Sequence, residues 1–172
     1  DASYNQLTTI DLSSIANLQQ LILSHNNLTA IDFNHPSGIV NNSDISYLDL
    51  SYNPLVSLNI NSFRSPNEQA PGDTLNLSNT LLTEITLPLA KFRFYFVGNN
   101  PNLVFLSVKN QANLINYSQC GDCGFYCGTN PLLSTICIAD SSNSYLQSYF
   151  GNDTTINFTT YCSFTPSGVY NT

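Results

Sequence analysis

The sequence contains little charge, and basic residues are especially scarce. Only 9% of its 172 residues are charged, with four Lys and Arg against eleven Asp and Glu, so the net charge is −7. The four basic residues, Arg64, Lys91, Arg93 and Lys109, form no run. Because proteins bind phosphate backbones through clustered Lys and Arg, we expect no nucleic-acid partner.

Long apolar segments and a leader-like start are also missing. No apolar stretch approaches the roughly 20 residues that a membrane-spanning helix requires, and residues 1–20 lack a charged segment followed by an apolar one. With so few charges, solubility depends mainly on Asn, Ser, Thr and Gln, which favours an extracellular protein over a cytosolic enzyme. We therefore expect an exported protein, located outside the cell or on the outer-membrane surface, whose signal peptide has been removed.

Residue arrangements typical of active sites and cofactor sites are absent from the sequence. It has no glycine-rich phosphate loop, no nucleophile elbow and no D-x-D-x-D-G calcium loop. His25 occupies a spacer position before an asparagine, His35 precedes a proline, and the acidic residues follow the repeat described next. We therefore favour a non-enzymatic protein over an enzyme and expect no cofactor or metal.

A repeated leucine pattern is the main feature that the sequence does contain. Leu, two residues, Leu, one residue, Leu, two residues, Asn, one residue, Leu occurs from Leu18 to Leu28 and again, shifted by 27, from Ile45 to Leu55. A third copy at the same shift has Thr80 in place of the asparagine. This spacing is typical of leucine-rich repeats, in which Leu-x-Leu forms a short strand and Asn bonds the backbone where the chain turns.

The second half of each unit extends the repeat along the chain. Apolar triplets of the type Leu-x-x-Ile-x-Leu begin at Leu7, Leu28, Leu55, Leu82, Leu103 and Leu133. Their spacings of 21, 27, 27, 21 and 30 residues indicate a 21-residue unit lengthened by insertions near 34–44, 64–73 and 119–130. Because one unit cannot bury its own apolar edge, we predict an α/β solenoid, a leucine-rich repeat horseshoe of about six short repeats over residues 1–138.

The periodicity changes after the last triplet. Asp140 or Ser142 is suited to begin a helix that runs through Phe150, and Gly151 is suited to end it. Alternating apolar and polar residues then predict a strand over 154–164. We expect this helix and strand, residues 139–164, to form a C-terminal cap that covers the last repeat.

The C-terminal segment carries the most particular sequence. Ile136-Cys-Ile-Ala-Asp140 and Thr160-Tyr-Cys-Ser-Phe-Thr-Pro-Ser-Gly168 resemble the closing module of secreted leucine-rich repeat proteins of Bacteroidota. The resemblance implies a recognition scaffold on a surface or secreted protein, with residues 165–172 beginning a linker to further modules and a type IX secretion signal. Asp153-Thr154-Thr155 also resembles an O-glycosylation signal of that group, which implies a glycan on Thr154.

Five cysteines favour an oxidising compartment. We predict a disulfide between Cys137, in the last triplet, and Cys162, in the predicted closing strand, although five cysteines allow several pairings. Cys120, Cys123 and Cys127 lie together in a Gly-rich insertion. They could supply part of a zinc or iron–sulfur shell, but a second Cys or His pair is missing. We therefore favour one or two disulfides there, with the odd cysteine free or bonded elsewhere.

The concave sheet of such a solenoid presents the residues that flank the inward leucines. We expect four outward sets: Gln20, Ile22 and Ser24; Tyr47, Asp49 and Ser51; Thr74, Asn76 and Ser78; Arg93, Tyr95 and Val97. Because rings among small polar residues suit protein or glycan contacts, we predict a binding surface there. Its predicted contact residues are Ile22, Tyr47, Asp49, Asn76, Arg93 and Tyr95.

The alternative function is that of a structural spacer in a larger secreted or surface protein. A contiguous aromatic patch on the concave face would favour binding, whereas a featureless polar sheet would favour the spacer.

Overall fold

Each repeat contributes two short strands, one on either side of an apolar spine. The computed structural model describes residues 1–12, 15, 18–33, 45–60, 72–88, 92–109, 124–139 and 155–162. The strands in these ranges are β1 (Gln20–Ile22), β2 (Ala30–Asp32), β3 (Tyr47–Asp49), β4 (Ser57–Asn59), β5 (Gly72–Asn76), β6 (Glu84–Thr86), β7 (Phe92–Phe96), β8 (Phe105–Ser107), β9 (Gly124–Tyr126), β10 (Thr135–Cys137) and β11 (Asn157–Thr159).

From β1 to β10, consecutive strands lie alternately on the front and the back of the solenoid. The front sheet has the order β1-β3-β5-β7-β9, and the back strands form a two-stranded sheet, β2-β4, and a four-stranded sheet, β11-β10-β8-β6. Every pairing between neighbouring strands is parallel. The chain therefore winds from front to back and forward again, which is the course of a solenoid.

The apolar spine is built from side chains in register. In the front sheet, Leu21, Leu48, Leu75, Tyr95 and Phe125 align across the five strands, and each is buried. In the back sheets, the central residues of the strands are the middle members of the predicted triplets, such as Ile85, Leu106 and Ile136, all of which are buried. The repeat pattern thus places one apolar residue of each of these strands in the spine.

The back of the solenoid is β-structure in the described residues, which contain strands but no α-helix. The predicted solenoid is therefore present as stacked parallel strands, whereas the helical part of the predicted α/β class is not seen in the described residues. The predicted cap helix within 139–164 lies outside the described residues. The predicted closing strand is present as β11, which pairs with β10 in parallel.

Parts of two predicted insertions belong to the front sheet instead. The segments 34–44, 64–71 and 119–123 lie outside the described residues, and so does the predicted linker 165–172. However, Gly72 begins β5, and Gly124–Tyr126 forms β9, which pairs with β7. The prediction that all of 119–130 is an insertion was wrong because Phe125 and Cys127 replace the leucines of the repeat pattern.

Buried asparagine side chains tie each turn to its neighbour, as the repeat pattern predicts. Asn53 donates from Nδ2 to the carbonyls of Leu50 at 3.1 Å and Leu23 at 2.9 Å, and its Oδ1 accepts the Leu28 N–H at 3.1 Å. One amide therefore closes its own turn and bonds the preceding repeat. Thr80, in the asparagine's place, donates its hydroxyl proton to Asn100 Oδ1 at 2.9 Å instead.

The first twelve residues form a further turn stacked on β1. The Ala2 N–H donates to the Ile22 carbonyl and the Tyr4 N–H to the Ser24 carbonyl, both at 2.9 Å. These bonds repeat those that Leu23 and His25 make to the next repeat. The edge of β1 is thereby covered by residues from the same chain.

Candidate functional site

Two rows of side chains cross the outer surface of the front sheet. They alternate with the buried spine and follow the strand register: Gln20, Tyr47, Thr74, Phe94 and Gly124 in one row, and Ile22, Asp49, Asn76, Phe96 and Tyr126 in the other. We call these ten residues the front face. Successive residues of a strand point to opposite sides of the sheet. Because the spine residue of each strand points inward, the residues before and after it point outward and form the two rows.

Four predicted contact residues, Ile22, Tyr47, Asp49 and Asn76, lie on the front face, and each is half-buried. Their position agrees with the outward orientation expected from the repeat. Their role in binding stays a prediction.

The expected orientation of Arg93, Tyr95 and Val97 was wrong by one residue. Tyr95 aligns with Leu75 in the spine, has 0% of its surface exposed, and accepts the Phe92 N–H on its hydroxyl oxygen at 2.9 Å. Val97 is also buried, and Arg93 is half-buried on the same alternation as Tyr95. In the segment Phe92-Arg-Phe-Tyr-Phe96, three phenylalanines share one alternation and Arg93 shares the other with Tyr95, so hydrophobicity alone favours the wrong inward side.

The correct register was available from Asn100. Asn26 and Asn53 follow the second inward leucine by three residues, and Val97 has the same relation to Asn100. Counting back from Asn100 makes Val97 and Tyr95 inward and turns Phe94 and Phe96 outward. These two residues, with Tyr126, are the front-face residues that sequence reasoning missed.

Four aromatic side chains line an open depression on the front face. Tyr47 lies on one side and Phe94, Phe96 and Tyr126 on the other, with Thr74 and Asn76 of β5 between them, and the depression has a volume of about 380 Å³. The Phe96 and Tyr126 rings stack at a centroid distance of 4.7 Å and an interplanar angle of 6°. Tyr126 remains 50% exposed. The front face therefore carries a cluster of three rings on β7 and β9, and Tyr47 faces this cluster across β5.

Gly124 sets the position of the Tyr126 ring. A Cβ atom at Gly124 would lie 2.5 Å from Cε2 and 2.8 Å from Cζ of Tyr126, so the ring occupies the space that a side chain would fill. In the register of the sheet, Gly124 is the neighbour of Phe94. The missing side chain thus lets Tyr126 fold back over its own strand, beside the phenylalanines.

Asp49 is the only charged residue of the front face. Burial, and secondly the charge of Asp49, raise the pKa of the Tyr47 phenol above its ordinary value. One carboxylate oxygen of Asp49 accepts the Ser51 N–H at 3.0 Å. In the neighbouring strand, the Oδ1 atom of Asn76 accepts both the N–H and the hydroxyl of Ser78. The two side chains are thus held in place by the turn that follows each strand.

A second aromatic cluster lies at the turns rather than on the sheet. His25 stacks between Tyr4 and Tyr52, at 4.2 Å from each ring centroid and at interplanar angles of 11° and 10°. All three residues have a left-handed backbone, with φ between 53° and 56°. Asn79 and Asn99 hold the same place in later repeats with φ of 57° and 58°. We call the three rings the turn column; sequence reasoning gave His25 only a spacer role.

Comparison with known families matches part of the chain. Residues 17–40 and 44–66 match the family described as Leucine Rich Repeat. These two segments are leucine-rich repeats. They contain β1 to β4 and the asparagines Asn26 and Asn53. No curated protein and no solved structure matches the chain significantly.

The described cysteines lie beyond the two matched leucine-rich repeats. Cys137 and Cys162 form the predicted disulfide, with their Cα atoms 5.3 Å apart. Cys127 is a free thiol. Burial raises the pKa of this thiol to about 11, although a hydrogen bond with the Asn130 side chain acts in the opposite direction and is the smaller effect. Cys120, Cys123 and the predicted glycosylation residue Thr154 lie outside the described residues.

The described part of the chain holds no group of three His, Cys, Asp or Glu side chains that could bind a metal ion. The same residues include no helix long and apolar enough to cross a membrane.

Proposed function

We propose that this protein is a non-enzymatic recognition module that binds a partner protein through the front face. The observation that carries the proposal is the aromatic patch of Tyr47, Phe94, Phe96 and Tyr126 around one depression. Leucine-rich repeat domains generally mediate protein interactions, which favours a protein partner over the glycan alternative. Aromatic side chains gathered on the sheet surface also favour a binding module over a structural spacer.

The energetic basis of the proposal is that these rings retain area to bury. Phe94 and Phe96 are half-buried and Tyr126 is half-exposed, although each belongs to a strand whose neighbouring positions pack into the core. Aromatic anchors in desolvated pockets supply much of the binding energy of protein interfaces. Burial of this patch against a partner would remove apolar ring surface from water at no cost to the spine.

We further propose that binding takes place outside the cell, as in adhesion to a surface or to a secreted partner. The low charge of the chain and the disulfide between Cys137 and Cys162 support this location, because such bonds persist in oxidising compartments.

A capture experiment tests the proposal and identifies the partner at the same time. The wild-type protein, the double variant Phe94→Ser/Tyr126→Ala and the control Glu84→Ala/Thr86→Ala on the back of the solenoid would each be immobilised. Proteins secreted by the native source would be passed over them, and any captured protein identified, purified and titrated. We expect the wild type and the control to bind it equally and the front-face variant to bind at least about tenfold more weakly. Equal affinity of all three would refute the proposed surface.

A further inference from the structure

The depression on the front face forms a slot between β3 and β7, with β5 as its floor. Tyr47 and Phe94 occupy the same row on strands β3 and β7, with Thr74 of β5 between them. Neighbouring strands are about 4.8 Å apart, so the two ring-bearing residues are separated by about 10 Å at the backbone. A flat group inserted above Thr74 would have a ring on either side.

Asp49 is the one charged residue of the front face, and it borders the slot. Asp49 lies two residues after Tyr47 on the same side of β3, and in the sheet register it is the neighbour of Asn76, which lines the depression. The nearest basic residue in the sequence of β7, Arg93, lies on the alternation opposite to the front face. The net charge of the whole chain is −7. Anionic groups are therefore disfavoured, and a positively charged group is complementary to the site.

We propose, on the basis of the recognition function above, that the slot binds an arginine side chain of the partner protein. The guanidinium would lie between the ring of Tyr47 and those of Phe94 and Phe96, with its charge opposite the Asp49 carboxylate. Arginine fits better than lysine because its planar head stacks on aromatic faces and bonds a carboxylate through two N–H groups.

The floor of the slot supplies a further contact. Asn76 uses Oδ1 for the N–H and hydroxyl of Ser78, and the Thr74 side chain lies beside it in β5. The Thr74 hydroxyl oxygen can accept a guanidinium N–H, since arginine carries five donors and no acceptor. A neutral sugar could also stack on the rings, but it would gain nothing from the Asp49 charge. The charge is therefore the property that separates the two ligand classes.

The test compares short peptides that differ in one charge. Acetyl-Gly-Gly-Arg-Gly-Gly-amide, its citrulline and lysine analogues and a neutral hexasaccharide of glucose would be titrated into the ¹⁵N-labelled protein and followed by NMR. We expect the arginine peptide to shift the signals of Asn76 and Tyr126 and to bind roughly tenfold more tightly than the uncharged, nearly isosteric citrulline peptide. Added salt should weaken the arginine complex and leave the citrulline complex unchanged.

Two variants assign the effect to the proposed residues. Asp49→Asn keeps an oxygen for the Ser51 N–H but removes the charge, and should lower the affinity for the arginine peptide to that of the citrulline peptide. Gly124→Ala displaces the Tyr126 ring and should weaken the binding of both peptides. Glu84→Gln, which removes a carboxylate on the back of the solenoid, should alter neither. Melting curves would establish that each variant is folded.

The inference would be overturned if arginine and citrulline peptides bound alike, if Asp49→Asn left their difference intact, or if only the saccharide bound. Its failure is distinguishable from that of the proposed function. If partner binding depends on Phe94 and Tyr126 but not on Asp49, the proposed recognition surface stands and the proposed arginine contact is wrong. If partner binding depends neither on Phe94 and Tyr126 nor on Asp49, the proposed recognition surface is wrong as well.

Discussion

The front and back of the solenoid share one spine but differ in what they carry on the outside. On the front, outward positions hold the rings of Tyr47, Phe94, Phe96 and Tyr126. On the back, the outward positions of β4 and β6 hold small, polar or charged residues: Ser57, Asn59, Glu84 and Thr86. Large apolar residues at outward positions therefore distinguish the front face from the back strands β4 and β6.

The back surface changes along the solenoid as well. In β8 and β10, the outward positions Phe105, Ser107, Thr135 and Cys137 are buried, unlike those of β4 and β6. Cys137 is held there by its disulfide to Cys162. Outward positions are therefore largely exposed in one part of the back surface and buried in another.

The largest expected effect is at Tyr95, the buried tyrosine of the front sheet. Tyr95→Ala should lower the free energy of unfolding by about 3–5 kcal/mol, because it opens a cavity in the spine and leaves the Phe92 N–H without its acceptor. Tyr95→Phe should cost less, since only the hydrogen bond is lost. Urea titrations of both variants measure the difference. A stable Tyr95→Ala variant would mean that β7 is shifted by one residue after all.

The next largest effect is expected at the disulfide between Cys137 and Cys162, which joins β10 to the segment after β11. The double variant Cys137→Ser/Cys162→Ser should lose roughly 2–4 kcal/mol of stability, because the unfolded chain regains the freedom of the closed loop. Cys127→Ser should have a much smaller effect and serves as the control. Modification of Cys137 and Cys162 by a thiol reagent in the native, unreduced protein would contradict the bond.

A smaller loss is expected at the hydrogen bonds between repeats. Asn53→Ala should destabilise the protein by about 1–3 kcal/mol, because the Leu28 N–H and the Leu23 carbonyl lose their side-chain partner. Asn53→Thr should recover part of the loss, since Thr80 occupies the equivalent place one repeat later. Thermal unfolding of the two variants gives the comparison, and equal melting temperatures for Asn53→Ala and the wild type would rule out the proposed contribution.

The smallest effect on stability is expected on the front face itself. Tyr126→Ala should change the free energy of unfolding by less than about 0.5 kcal/mol, because the side chain is 50% exposed and leaves no core cavity. The same change should weaken partner binding by about 1–3 kcal/mol. The pair of measurements separates the front face from the spine. A Tyr126→Ala variant as unstable as Tyr95→Ala would place the ring in the core.

Much of the spine was predictable, because the leucine pattern fixes both strand position and inward side wherever a leucine alternates with a polar residue. That holds for β1 and β3, which carry Leu21 and Leu48. It fails at β7, where the outward alternation holds phenylalanines and the inward one holds Arg93 and Tyr95, and at β9, where Phe125 and Cys127 occupy the positions of the leucines. In both cases Asn100 and Asn130, three residues after the second inward position, retain the information that hydrophobicity lacks.

The aromatic patch was harder to predict because its members are distant in the sequence. Tyr47 and Tyr126 meet at one depression only through the register of four strands, and the Tyr126 ring lies where it does because Gly124 has no side chain. A one-residue error in the register of β7 was enough to exchange Tyr95 for Phe94 and Phe96. The disulfide, by contrast, depended only on the last triplet and the closing strand, and its prediction was confirmed.

The turn column should give the protein a circular dichroism signal that reports on its N-terminal end. The chain has no tryptophan, so its near-ultraviolet spectrum comes mainly from ten tyrosines. Tyr4 and Tyr52 are fixed in a chiral stack with His25, which belongs to the first turns, whereas Tyr95 and Tyr126 lie toward the other end. Because solenoids can open from one end, near-ultraviolet circular dichroism of Tyr4→Leu and Tyr126→Leu variants would resolve which end loses its structure first.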